Sequence, residues 1–79
     1  MARQEIFDLI EAERAAQDRK WGGPEHDDIH QMNDFIVYIT KHAGRAVDAN
    51  SDEVRRHMIR IAALAVAVVE KIDRSPEEG

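Results

Sequence analysis

The sequence predicts an all-α protein of three helices. Apolar residues recur at spacings of three and four in three separate segments. No stretch alternates polar and apolar residues in the way a half-buried strand would. The segments are divided by Trp21-Gly22-Gly23-Pro24 and by Asp48-Ala49-Asn50-Ser51-Asp52, whose residue types interrupt helices.

The first helix is expected from about Arg3 to Arg19. Ile6, Leu9, Ile10 and Ala16 form its apolar stripe, with Glu5, Asp8, Glu11 and Arg14 off it. Two glycines and a proline then end it, because neither type continues a helix cheaply. The second helix is expected from near Ile29 to near Ala49, with Asp27 or Asp28 as a cap whose carboxylate accepts free N–H groups of the first turn. Its apolar positions are Met32, Phe35, Ile36, Ile39, Ala43, Ala46 and Val47. The third is expected from about Ser51 to Asp73, opened by Asn50 and Glu53 in a variant of the capping box. Val54, Met58, Ile61, Ala65, Val68 and Ile72 give it a heptad-like seam, and Ile59, Ala62, Val66 and Val69 a second stripe beside it. So wide an apolar arc must be covered from more than one direction. Helix 2 is one cover, joined by a short turn that predicts an antiparallel hairpin, and a second subunit is the other. Residues 75–79 form a polar tail containing Pro76 and are expected to fray.

Seventy-nine residues make one domain, 1–79. A chain this short buries a limited share of its surface, and with no cysteine it has neither a disulfide nor a thiolate metal site. Assembly into a homodimer or higher homo-oligomer is the remaining source of stability. The net charge of −5 does not suggest general nucleic-acid binding, which has a basic footprint. Residues 1–10 lack a secretory pattern, and the longest apolar run, Ile61 to Val69, falls short of the roughly 20 residues that span a bilayer. The expectation is a soluble, cytoplasmic protein without membrane contact. The start at Met1 and the lack of a tag predict a complete natural chain.

Against this acidic background one face is basic. Tyr38, Lys41, His42 and Arg45 recur at i, i+3, i+4 and i+7 and so share one side of helix 2. Arg56, His57 and Arg60 cluster on the first turns of helix 3. In an antiparallel hairpin the two groups approach each other near the turn. Arg offers a planar fork for phosphate oxygens and Lys a point charge, so the face suits a phosphate held without metal. A solvated helix face balanced by Asp34, Asp48 and Glu53 is the alternative. Lys20 can reach a phosphate. Trp21, the only tryptophan, either stacks on a base or caps the end of the core. Gln17 could bond a base edge, or sit with Asp18 as ordinary surface. His26, Asp27, Asp28 and His30 have metal-like composition but no known ligand spacing, so capping by an Asp competes with a metal role. Walker loops, nucleophile elbows and cysteine nucleophiles are absent from the sequence.

Two stretches, Tyr38 to Ala46 and Arg56 to Ala63, resemble the ligand-bearing helices of the MazG-like all-α nucleotide pyrophosphohydrolases. Gln17-Asp18-Arg19-Lys20-Trp21-Gly22, followed by His26-Asp27, is similar to the opening of small phage and prophage proteins of that kind. The resemblance runs from about Glu13 to Asp73 and implies a MazG-like bundle completed by oligomerisation, with two hairpins forming four helices. The family carries Glu-Glu-x-x-Glu on one helix and Glu-x-x-Asp on the next. Anchoring on Gly44 and Ala62-Ala63 places those acids at Lys41, His42, Arg45, His57 and Arg60, none of which is a carboxylate. Mg²⁺ needs oxygen ligands that these side chains lack.

The expectation is therefore a non-catalytic, nucleotide-binding helical oligomer, with no cofactor. The phage resemblance suggests an anti-defence role, the sequestration of a phosphorylated nucleotide that serves as a host immune signal. The expected ligand residues are Lys20, Trp21, Tyr38, Lys41, His42, Arg45, Arg56, His57 and Arg60. One alternative is a Mg²⁺-dependent nucleoside triphosphate pyrophosphohydrolase using Asp27, Asp28, Asp34 or Glu53, since metal catalysis needs an activated water as well as neutralised charge. Another is a protein-interaction module.

Overall fold

The computed structural model describes residues 2–21 and 32–74, and all regular structure among them is helical: α1 (Arg3–Trp21), α2 (Met32–Ala46) and α3 (Ser51–Asp73). The all-α expectation holds. The capping set expected at Asp27 or Asp28 and the tail at 75–79 lie outside the described residues.

Local chemistry sets the helix ends. At the start of α3 the Asn50 side-chain oxygen accepts the Glu53 backbone N–H at 3.0 Å, while Asn50 Nδ2 donates to Glu53 Oε1 at 3.0 Å. The return bond of this box thus runs between side chains, because Asn brings a donor that Ser and Thr capping does not use in this way. Asp52 and Glu53 stand in the first turn and Lys71 in the last, each matched to the partial charge of its helix end. α2 stops at Ala46, three residues short of the sequence expectation. The chain there tightens into i→i+3 bonds, Val47 N–H to Gly44 C=O and Ala49 N–H to Ala46 C=O.

α3 is the common support. It packs against α2 on one side and α1 on another, whereas among the described residues α1 and α2 do not pack on each other. Between α2 and α3 lies the core of Phe35, Leu64 and Ala67, with Ile39 and Val68 packed on it. Two turns beyond Phe35 on α2, His42 meets His57, which lies two turns back from Leu64 on α3. Contacts therefore run in opposite order along the two helices.

The buried faces differ from the expected stripes. On α3 the deeply buried line is Ala63, Leu64 and Ala67, while Met58, Ala65 and Ile72 of the expected seam are exposed. A helix apolar over a wide arc has several candidate seams, and its neighbours choose which one is covered. On α1, Ile6 and Leu9 are exposed, while Arg14 and Gln17 are the buried residues among those whose burial is described. Arg14 Nε donates to Glu70 Oε1 at 3.0 Å and Nη1 to Gln17 Oε1 at 3.4 Å, and Nη2 pairs with both Glu70 and Asp18. The α1–α3 contact is thus organised by a charge network more than by the apolar stripe. Burial pulls the Arg14 pKa down, but the bond to Glu70 and the charges of Asp18 and Glu70 outweigh it and leave the guanidinium more firmly protonated than usual.

Candidate functional site

Among the described residues α1 and α2 each rest on α3 and do not pack on each other, and a cleft of about 700 Å³ lies between them. Tyr38, Lys41, His42 and Arg45 form the α2 wall, as helical spacing requires of positions i, i+3, i+4 and i+7. Arg60 and Leu64 come from α3, and Glu13, Ala16, Gln17 and Lys20 from α1. Lys20, Tyr38, Lys41, His42, Arg45 and Arg60, all expected site residues, are therefore brought together.

Three others are placed differently. His57 stands behind His42, their Nδ1 atoms 3.0 Å apart and ring centroids 5.2 Å apart. At that distance one ring donates and the other accepts, so the contact suits at most one charged ring. Arg56 lines a second groove, with Arg55, Ile59 and Arg60 of α3 and Leu9, Ala12 and Glu13 of α1. One residue of helix is a turn of about 100°, which carries Arg56 away from α2 while His57 and Arg60 stay near it. Trp21 closes α1, and the stacking expected of it concerns a side chain outside the described set. His26, Asp27, Asp28 and His30 also lie outside the described residues.

Glu13 and Gln17 were not among the expected ligand residues. Their spacing with Lys20, at i, i+4 and i+7, was the available signal of a shared face. Gln17 is buried, and its side-chain oxygen accepts from Arg14. That bond takes one of the oxygen's two lone pairs, and the amide N–H₂ adds two donors.

The electrostatics are one-sided. Four permanent cations, Lys20, Lys41, Arg45 and Arg60, and a half-buried histidine share the cleft with one carboxylate, Glu13. Burial holds the His42 pKa below its ordinary value, and the charges of His57, Arg60 and Arg45 push it the same way, with Glu13 opposing. A site that disfavours a further proton is one in which an anion relieves the accumulated positive charge. A hard divalent cation finds one carboxylate here and several like charges, so this donor set does not fit Mg²⁺. Among the described residues no group of three or more His, Asp or Glu side chains is placed to hold a metal.

No protein-family profile matches the chain, and no curated protein or solved structure compared with it is similar enough to count as a match. No described helix is long and apolar enough to cross a membrane.

Proposed function

We propose that this chain binds a phosphorylated nucleotide in the basic cleft, without metal and without turning it over. The supporting observation is the convergence of Lys20, Lys41, Arg45 and Arg60 with His42 on one cleft of an otherwise acidic protein. Its volume lies within the roughly 300–1,000 Å³ typical of small-molecule sites. The resemblance to MazG-like proteins supports the same reading, since the positions where that family would bind Mg²⁺ carry basic groups that contact phosphate directly. In a phage-type member the role would be to sequester a nucleotide signal. A homo-oligomer is the working form in this reading, with exposed Ile36, Val47, Met58, Val69 and Ile72 as candidate contact residues.

The test is incubation with a mixture of mono-, di-, tri- and cyclic nucleotides, with EDTA or with Mg²⁺, followed by ultrafiltration and mass spectrometry. An intact nucleotide retained by the protein in EDTA is the expected result. Lys41→Ala with Arg45→Ala should weaken retention about tenfold or more, each charge-assisted bond being worth about 1.5–3 kcal/mol. A monophosphate released only with Mg²⁺ would establish the pyrophosphohydrolase instead. No retention and no turnover would leave the interaction module.

A further inference from the structure

The histidine of the cleft is half of a pair. His42 lines the cleft and His57 does not, yet their Nδ1 atoms are 3.0 Å apart and both residues are half-buried. A hydrogen bond at that distance needs one donor and one acceptor, so the facing nitrogens hold one hydrogen between them. The bond leaves Nε2 as the ring nitrogen that His42 can offer to a ligand. Two neutral forms of the pair follow. When His57 donates, His42 carries its own hydrogen on Nε2. When His42 donates, its Nε2 is a bare lone pair. Adding one proton to the pair puts a hydrogen on Nε2 of His42 whichever ring holds the charge. Adding a second sets N–H against N–H at 3.0 Å, which the contact excludes.

An oxyanion tells these forms apart. Deprotonated phosphate-type oxygens accept hydrogens and have none to donate, so they select Nε2–H and reject the bare lone pair. In the empty cleft a further proton on His42 is opposed from each of the three helices: by Arg60 and His57 on α3, by Lys41 and Arg45 on α2 and by Lys20 on α1. The Glu13 carboxylate favours it, and the Tyr38 phenol completes the polar surroundings. Burial and the charges of His57, Arg60 and Arg45 accordingly hold His42 below its ordinary pKa, against Glu13. We propose that His42 is the proton-carrying contact of the anion site, that His57 behind it is a positioning residue fixing which hydrogen His42 presents, and that the pair takes up one proton as the anion enters. This assignment rests on the anion-binding reading and adds to it a positioning residue and a coupled proton. A bound anion offsets the surrounding cations and raises the His42 value, and by linkage protonation raises anion affinity by the same factor. Affinity then falls as pH rises through the value of the occupied site. It levels off below the value of the empty site, where the proton is already in place.

The probes are sulfate and cyclic GMP, oxyanions whose own charge is fixed from about pH 5 to about pH 8, the range in which histidine titrates. A phosphate monoester, with a second pKa of about 6, would add a proton of its own. Titration calorimetry in EDTA across this range, in buffers of different ionisation heat, gives affinity and protons taken up for the natural chain, His42→Gln, His57→Ala and His57→Asn. Circular dichroism checks that the variants are folded. In the natural chain affinity should rise as pH falls, by up to about tenfold per pH unit, with uptake of no more than about one proton. His42→Gln should lose both the rise and the uptake. His57→Ala should weaken binding about threefold or more near pH 8, where the bond from His57 is what keeps the hydrogen on Nε2, and little near pH 5. Asn carries a donor and an acceptor at the branch where His carries Nδ1, so His57→Asn should restore binding near pH 8. Affinity that is flat with pH, without proton uptake, overturns the proposal while the anion site stands. Uptake that survives in folded His42→Gln puts the titrating group elsewhere and also overturns it. The natural chain and His42→Gln decide the proton link whether or not His57→Ala folds. A loss in His57→Ala that is equal at both ends of the range, or absent, overturns the positioning role. Binding of neither probe removes the anion-binding reading itself.

Discussion

Arg14 offers the sharpest test of how α1 is held. Replacing it with Met keeps much of the buried aliphatic volume and removes every polar contact. The Glu70 pair, made through Nε and Nη2 at 3.0 Å, involves a carboxylate side chain 49% exposed, so it is valued as a surface pair at about 1 kcal/mol. The Asp18 pair is i,i+4 on one helix, worth about 0.3–0.5 kcal/mol. The bond to the buried Gln17 adds about 0.5–1.5 kcal/mol, including the cost of leaving that amide oxygen unpaired. Arg14→Met should therefore destabilise the chain by roughly 2–3 kcal/mol. For a domain of this size that lowers Tm by about 8–24 °C. Thermal unfolding followed by circular dichroism measures it, at fixed protein concentration so that assembly does not shift the midpoint. A double-mutant cycle with Glu70→Gln should recover a coupling of about 0.5–1.5 kcal/mol. Buried charge networks replaced by apolar side chains are sometimes neutral or stabilising. An unchanged or raised Tm would show that Arg14 costs as much to desolvate as its partners return, and that apolar contacts hold α1.

Three further outcomes are expected. Phe35, 1% exposed, is the largest fully buried side chain among the described residues, and Phe35→Ala should cost about 3–5 kcal/mol in denaturant unfolding, a large part of the stability of so small a domain. His42 has a folded pKa below its ordinary value of 6.5, so the unfolded chain binds more protons in that range. The His42 contribution is then present above about pH 6.5 and lost as pH falls through the folded value; His42→Gln should flatten this acid limb in Tm measured against pH. Ala65 is exposed, so Ala65→Glu should leave the single chain folded and convert an assembly to a monomer by light scattering; an oligomer of unchanged mass would mean this face is not the contact.

What the sequence could reveal followed the range of the interactions involved. The start of α3 was readable because Asn50 and Glu53 act on each other three residues apart. The α2 wall of the cleft was readable because helical geometry alone puts residues 38, 41, 42 and 45 on one side. Arg56 shares a groove with Arg60 but does not line the cleft, because the rotation between adjacent residues separates it from His57. Burial of Arg14 depends on Glu70, 56 positions along the chain, and no local pattern announces such a partner. The α1 stripe misled for a related reason. Periodicity identifies a face able to be buried, but α1 has one neighbour among the described helices, and that neighbour meets a different face.

Among the described residues α1 and α2 lie on α3 like two covers on a spine, with no packing between them. Each cover is attached to the spine by its own contacts, the Arg14 network for one and the Phe35 cluster for the other. A molecule seated between the covers would touch both, adding contacts between two helices that do not pack on each other among the described residues. Occupancy would then act as a fastener: a ligand at a hundred times its Kd would stabilise the whole assembly by about 2.7 kcal/mol, as much as the Arg14 network contributes from within.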